Sequence, residues 1–364
     1  MNMLMHEEVV VRRGRRSGIY IVVAIHSTQL GPALGGARLW RYGALGDAIA
    51  DALRLSEAMT YKAAAAGLEL GGGKAVLCAP PDRDLLAAER RDLMLDLGDV
   101  VESLEGRYVT AEDVGTGADD MAVIAERTSH VVGLPAEAGG SGDPSPVTAR
   151  GVERAIRACC EHRYGTPELD GRTVTVIGLG HVGHALTGRL HAAGAELIAS
   201  DIDAPKQAAA QILGARWIEP DEAIAADCDV LAPCALGGAI NEVTIDRLRC
   251  EIVCGAANNV LADDSLAERL DGRGILYAPD FIANSGGLIN VYGELHDLER
   301  GQLDELVDGI GDALDRVFEL AETRSVTPLA AARAVALERL DQTSRPSGTS
   351  LSASRAAVLP ASRA

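Results

Sequence analysis

Aromatic residues are scarce in this chain: two Phe, two Trp and seven Tyr among 364 residues. With 47% of residues hydrophobic, there is ample material for a core, but it must be built mainly from Ala, Val, Leu and Ile. That content excludes disorder for most of the chain. Positive charge is in short supply as well. Lys and Arg number 34 against 53 Asp and Glu, a net charge of -19. Such a surface repels phosphate backbones and excludes nucleic acid as a partner. No window holds the ~18 consecutive apolar residues of a membrane helix. The first residues carry His6, Glu7 and Glu8 where a signal peptide needs positive charge and an apolar run, so a cytoplasmic protein is expected. The seven cysteines include no CxxC pair and no accompanying His cluster. Buried reduced thiols are expected, with no metal bound. Arg12, Arg13, Arg15 and Arg16 read as the polar turn of a hairpin between two apolar runs.

The length corresponds to about two domains. The run GGSGDPSP at 139–146 reads as a linker or hinge. Upstream, β-rich runs (IYIVVAI, KAVLCA, YVTA) mix with helical patterns, an α+β arrangement. Downstream, TVTVIG, AELIASD, VLAPCA, IVCGAA and GILYAPD alternate with helical stretches, the pattern of a doubly wound parallel sheet. The expected division is 1–147, 148–340, and a flexible Ser/Arg/Ala/Pro tail over 341–364.

The most specific stretch lies in the second domain. An apolar strand, Thr173 to Ile177, runs into Gly178-x-Gly180-x-x-Gly183, then a helical pattern, then a strand ending at Asp201, 18 residues past Gly183. The glycines permit a tight turn, close approach of backbone to a pyrophosphate, and close helix–strand packing. The free N–H groups of the helix start, through His181 and Val182, face the phosphates. Asp201 would accept hydrogen bonds from the adenosine ribose, and an acid there repels a 2′-phosphate, favouring NAD over NADP. Asn258 and Asn259 follow a later strand, where either a ligand contact or a simple turn explains them.

Three charges interrupt apolar patterns in the first domain. Residues 44–66 read as a helix with Ala48, Ala52, Leu55 and Met59 on one face, and Lys62 continues that face. Spacing alone favours a snorkelling lysine over one turned into a site. Lys74 follows three glycines at the mouth of an apolar strand, where burial would lower its pKa and suit it to general-base work. A plain strand-edge lysine fits equally. Asp113 shares a strand face with Val109 and Ala111, whereas Glu112 points the other way, toward solvent. Three coincident exceptions point to one site.

These segments carry a family resemblance. GPALGGAR (31–38), MTYKAAAAGLELGGGKAV (59–76), YVTAEDVGT (108–116), SGDPSPVTARGV (141–152), VIGLGHVG (176–183), APCALGGAIN (232–241), CGAANN (254–259) and YAPDFIANSGGLINV (277–291) occur in family order. The chain resembles the leucine/valine/phenylalanine branch of the glutamate dehydrogenase superfamily of amino-acid dehydrogenases. The resemblance implies an N-terminal substrate and catalytic domain, a Rossmann-type NAD-binding domain, and an active site in the cleft between them. It implies C-terminal helices that return to the first domain, and a homo-oligomer. The reaction implied is NAD-dependent oxidative deamination of an L-amino acid.

By the same resemblance, Lys62 and Asn284 would bind the substrate carboxylate, Lys74 would activate water, and Asp113 would shuttle protons at the substrate nitrogen. Thr148 and Asn258 would hold the nicotinamide carboxamide. Leu34, Ala111, Leu288 and Val291 would line the side-chain pocket, and Gly35 would also contact the substrate. That lining is aliphatic, which disfavours glutamate and favours leucine, valine or isoleucine, with an aryl substrate or a catalytically silent NAD-binding regulator as the rival readings. One or two methylenes are worth only about 1–3 kcal/mol in such a pocket, so the three aliphatic substrates are not ranked by sequence. Departures from the family pattern are Ser285 in NSGG and the Trp40–Tyr42 segment after GGAR.

Overall fold

A computed structural model describes residues 5–344. The first lobe contains β1 (Glu8–Arg13), β2 (Tyr20–Ser27), β3 (Ala33–Arg41), α1 (Leu45–Ala65), β4 (Gly71–Ala79), α2 (Ala87–Glu102), β5 (Tyr108–Glu112) and α3 (Ala118–Ala125). Its sheet has the order β1-β2-β4-β3-β5. The β1–β2 hairpin and the β2–β4 pair are antiparallel, while β3 runs parallel to both β4 and β5.

The unbroken apolar run of β2 has a simple cause. Ile21, Val23 and Ile25 face α2 and α3, packing with Leu93, Met94, Leu97 and Met121. Val22 and Ala24 face α1, packing with Ala48, Ala52 and Leu53. Side chains alternate across a strand, and both faces here are covered. The strand β3 was not legible as one, because GGARLW lacks both an apolar run and an alternation.

The second lobe begins with α4 (Ser145–Tyr164). It continues through β6 (Thr173–Ile177), α5 (His181–Ala192), β7 (Glu196–Ser200), α6 (Lys206–Ile212), β8 (Arg216–Trp217), α7 (Pro220–Ala223) and β9 (Asp227–Pro233). Then follow β10 (Arg249–Val253), α8 (Leu266–Gly272), β11 (Leu276–Tyr277), α9 (Asp280–Ala283) and α10 (Gly286–Leu295). The sheet is wholly parallel with the order β11-β10-β9-β6-β7-β8. Strand order reverses between β6 and β9, so their carboxyl ends flank the crevice where ligands of such sheets sit.

The last two helices are α11 (Arg300–Arg324), which packs on α4, and α12 (Pro328–Ser344), which packs on α1 and α11. The helix α12 carries regular structure through 341–344, where a tail was expected, and the rest of that expected tail lies outside the described residues. Arg339 of α12 donates to the carbonyls of Ala64 at 3.0 Å and Gly67 at 2.8 Å, closing the C-terminus of α1. Charge-assisted bonds of this kind contribute roughly 1.5–3 kcal/mol. Arg339→Ala is therefore expected to lower unfolding free energy by about 1–2 kcal/mol in urea titration; no change would show the cap to be idle. All seven cysteines are free, five of them buried. Among the described residues, no helix is long and apolar enough to cross a membrane.

Candidate active site

The three interrupting charges converge, though not as one contact. Lys74 lies on β4, between β2 and β3, and only 5% of it is exposed. Gly71, Gly72 and Gly73 precede it because a Cβ at Gly72 would lie 2.1 Å from Thr60 Oγ1, and one at Gly73 would strike the Tyr108 ring. The chain there is squeezed between α1 and its own sheet. Gly35, beside them on β3, is equally confined, and its carbonyl accepts the Tyr108 hydroxyl.

Lys74 Nζ sits 2.7 Å from Asp113 Oδ2. Asp113 falls just past β5, which ends at Glu112, yet its carboxylate still reaches the lysine. Arg38 of β3 approaches the same oxygen at 3.1 Å and also binds Asp51 of α1 at 3.1 Å. Asp51 in turn accepts from Tyr42 at 2.7 Å and Arg54 at 2.7 Å.

Burial pulls the Lys74 pKa down, against the raising effect of Asp113. Burial acts on Asp113 in the opposite sense, but Lys74, Arg38 and the Val114 N–H overcome it and hold the carboxyl below its usual range. Two cations thus share one carboxylate. Asp113 stays ionised, and Lys74 is the group prepared to release its proton.

Lys62 does not snorkel. It projects from the flank of α1 beside half-buried Met59 and donates to Asn284 Oδ1 at 2.6 Å, across 222 residues of sequence. The buried stripe of α1 is Ala48, Ala52, Ser56, Thr60 and Ala63, rotated from the expected face, which leaves Leu55, Met59 and Lys62 at its edge. The Lys62 pKa is pushed down to about 8 by burial, with Asp280 opposing and Lys74 reinforcing the shift.

Asn284 then donates to Asn258 Oδ1 at 2.8 Å and to the carbonyls of Ala256 and Ala257. Because an ammonium can only donate, the Asn284 amide oxygen must face Lys62. A continuous chain, Lys62–Asn284–Asn258, therefore runs from the first lobe to the loop after β10.

Leu34, Val109, Ala111, Leu288 and Val291 belong to one buried apolar cluster. It joins β3 and β5 of the first lobe to α10 of the second. Gly286 and Gly287 let α10 approach α4 closely: a Cβ at Gly286 would lie 2.6 Å from Val147 O, and one at Gly287 would lie 3.0 Å from Thr148 Oγ1. Thr148 is buried and spends its hydroxyl proton on Pro144 O at 2.9 Å, leaving its oxygen free to accept.

Glu112, expected in solvent, is half-buried. Its carboxyl is pushed up by burial and by the nearby charges of Asp143 and Glu294. Glu294 of α10 gathers the segment before α4, accepting from the backbone N–H of Gly133, Leu134 and Ser141 and from Ser141 Oγ at 2.6 Å.

On the second lobe, Gly178 has φ +99, and a Cβ there would meet Ala235 at 2.7 Å, so the loops after β6 and β9 touch at the switch point. A Cβ on Gly183 would lie 1.9 Å from Gly178 O, whereas one on Gly180 would meet nothing within 4 Å. Two of the glycines serve the protein's own packing, and the third fronts open space at the start of α5. There His181 is exposed, Val182 is half-buried, and backbone N–H groups are available. Asp201 accepts the Leu179 N–H at 2.6 Å and the Asp203 N–H at 2.8 Å, and pairs with Lys206 at 3.0 Å. A carboxylate offers about four acceptor positions, so room remains for a ribose hydroxyl. These features fit a dinucleotide.

Sequence reading gave no role to Arg38 or Asp280. Arg38 carried the same signal as Lys74, a charge beside a fully buried residue, Ala37. Asp280 precedes Asn284 by four residues, a spacing that puts both on one side of a helical turn.

A parallel sheet with a glycine cradle at its switch point, facing a lobe with paired lysines, defines a nicotinamide-dependent dehydrogenase. The comparisons with known proteins make this specific. The family model described as "Glu/Leu/Phe/Val dehydrogenase, dimerisation domain" matches residues 3–130, and "Glutamate/Leucine/Phenylalanine/Valine dehydrogenase" matches 200–348. A model of the NAD-binding domain of D-isomer specific 2-hydroxyacid dehydrogenases matches 148–246.

The chain is 44% identical to a leucine dehydrogenase of Thermoactinomyces intermedius over 92% of this chain and 91% of that one. It is 42% identical to a valine dehydrogenase of Streptomyces coelicolor over 92% of each. The solved L-tryptophan dehydrogenase of Nostoc punctiforme superposes with a TM-score of 0.83 at 40% identity, covering 94% of this chain and 98% of that one. The chain belongs to the glutamate/leucine/phenylalanine/valine dehydrogenase family, and it is an amino-acid dehydrogenase.

Proposed function

We infer that the protein carries out the reversible NAD-dependent oxidative deamination of a branched-chain aliphatic L-amino acid. The products are the 2-oxo acid, ammonium, NADH and a proton. The observation that carries this reading is the pair of inward-turned lysines with distinct partners: Lys62 on Asn284, and buried Lys74 on Asp113.

Lys62, protonated below its pKa of about 8, holds the substrate carboxylate with help from Asn284. This aims Cα toward the second lobe, where Asn258 and Thr148 orient the carboxamide of the nicotinamide. When bound, the nicotinamide supplies the acceptor for the hydride leaving Cα. Lys74, in the neutral form that burial favours, takes a proton from water as its oxygen attacks the resulting imine carbon. Asp113 accepts a proton from the substrate nitrogen before that step and returns it as ammonia departs. The hydroxyl proton of the carbinolamine passes to the ammonia, giving ammonium and the 2-oxo acid, and Lys74 releases its proton to solvent. The apolar cluster around Leu34, Ala111, Leu288 and Val291 excludes water and takes the side chain. With no ionised group in that lining, a γ-carboxylate finds no partner, which disfavours glutamate.

Asp201 at the ribose position supports NAD over NADP, since a carboxylate repels a 2′-phosphate. The "dimerisation domain" description of the model over 3–130 supports assembly with a second copy. One second reading has a specific observation behind it: likeness to the tryptophan dehydrogenase favours an aryl substrate.

The test is NADH formation with a panel of L-amino acids and each of NAD and NADP. Leucine, valine and isoleucine are expected to exceed phenylalanine and tryptophan in kcat/KM, with NAD preferred by about 10²-fold, or ~2.7 kcal/mol. A tryptophan preference would replace the substrate assignment, and no turnover with any pair would overturn the activity.

A further inference from the structure

Asp280, on the second-lobe side of Lys62, is a carboxylate with no part in the chemistry above. Asp280 opens the single turn α9, is half-buried, and accepts the Val260 N–H at 2.9 Å. Four residues later Asn284 grips the carbonyls of Ala256 and Ala257 and the side chain of Asn258. Asp280 at the start of α9 and Asn284 just past its end thus hold both ends of the 256–260 loop, whose Asn259 adopts φ 51. The loop is stapled from one turn of helix. Asn284 also receives Lys62, and Asp280, one helical turn before it on the same side, puts a negative charge near that lysine from the second lobe. From the first lobe Lys62 is faced by Lys74 on β4 and by Asp113 after β5, which pair with each other.

We propose that Asp280 is a positioning residue that keeps Lys62 charged for the substrate carboxylate while anchoring the loop that presents Asn258. A lysine taken from water reverts to its neutral form unless an anion compensates. Asp113 is committed to Lys74 and Arg38. Asp280 is therefore the anion left for Lys62, and the same carboxylate fixes the loop through Val260. Its own pKa is raised by burial and pulled back by the Val260 N–H and by Lys62, so the two groups sustain each other's charge. This inference rests on Lys62 as the carboxylate site, and it adds the group that sets the pH range over which that site works.

The sign is fixed. Lys62 binds a carboxylate while protonated, so affinity falls as pH rises through its pKa. Removing the Asp280 charge lowers that pKa and moves the fall to lower pH. The probe is 4-methylpentanoate, which has the carboxylate and a branched chain but neither amine nor carbonyl, so its inhibition constant reports Lys62 without titration of a substrate amine. In wild type its affinity is expected to fall tenfold per pH unit above about 8.

Asp280→Asn keeps an oxygen for the Val260 N–H and is expected to shift the inflection down by at least one unit. That amounts to about tenfold weaker inhibition near pH 8.5. Asp280→Glu, which restores a charge, must keep its inflection above that of Asn. Asp280→Ser replaces Asn should the amide not fold, as judged by NAD binding. Superimposable profiles for wild type and the neutral variants overturn the proposal. Lys62→Met separates the two levels: if it leaves the inhibition constant at neutral pH unchanged, the carboxylate-site reading itself fails.

Discussion

Replacing Lys74 by Ala is expected to lower kcat by about 10³–10⁴-fold while leaving the affinity for NAD near that of wild type. The structure makes this a clean experiment. Truncation at 74 strands no buried anion, because Asp113 retains Arg38 at 3.1 Å and the Val114 N–H. Removing one partner of a buried pair normally costs several kcal/mol through the charge left behind, and here a second cation is already in place. The glycines before Lys74, its setting between β2 and β3, and the packing of α1 on β4 do not involve the ammonium. The cofactor cradle lies on the other sheet. Single-turnover kinetics and NAD titration check both halves of the expectation. A variant that retained a tenth or more of wild-type kcat would remove Lys74 from the chemistry.

Asp113→Asn is expected to lower kcat by about 10²–10³-fold, and to do so with a diagnostic change in pH dependence. The carboxylate raises the pKa of Lys74 against the effect of burial. Without it Lys74 loses its proton at lower pH, so the acidic limb of the kcat profile moves down even as the plateau collapses. An Asp113 of purely structural importance would lower the amount of folded enzyme and leave the limb where it was. Stability should fall too, because the amide leaves Lys74 and Arg38 as facing cations. A wild-type limb in folded Asp113→Asn enzyme would refute the coupling.

The second lobe was legible because its signals are local. Strand, glycines, helix, strand and acid lie within some thirty residues, and each follows from backbone geometry. In the first lobe the pattern exceptions at Lys74 and Asp113 led to a real ion pair, since a charge on an apolar face must find a partner. Lys62 was harder. Helical periodicity gave its approximate face, but its partner is 222 residues away on the other lobe. Glu112 was misjudged because strand alternation describes a sheet and not what lies beyond it; the segment bound by Glu294 covers it. Glu294 and Asp280 bond to backbone N–H groups, and any residue type supplies those, so no pairing pattern betrays them. Arg38 was hidden by the glycine-rich strand that carries it.

The cap on α1 has a consequence for how the chain is made. Domains generally fold from the N-terminus as they leave the ribosome. Every strand of the first sheet is synthesised before residue 113, and Lys62 with them. Yet the guanidinium that adds bonds to the carbonyls of Ala64 and Gly67 at its end belongs to Arg339, some 270 residues later. The nascent first lobe therefore holds Lys62 on a helix that lacks this cap until α12 has been made. An abortive chain ending after α11 would own both sheets and still lack this cap on α1. The lobe that is begun first is finished last, so the assembled cleft marks a polypeptide translated through α12.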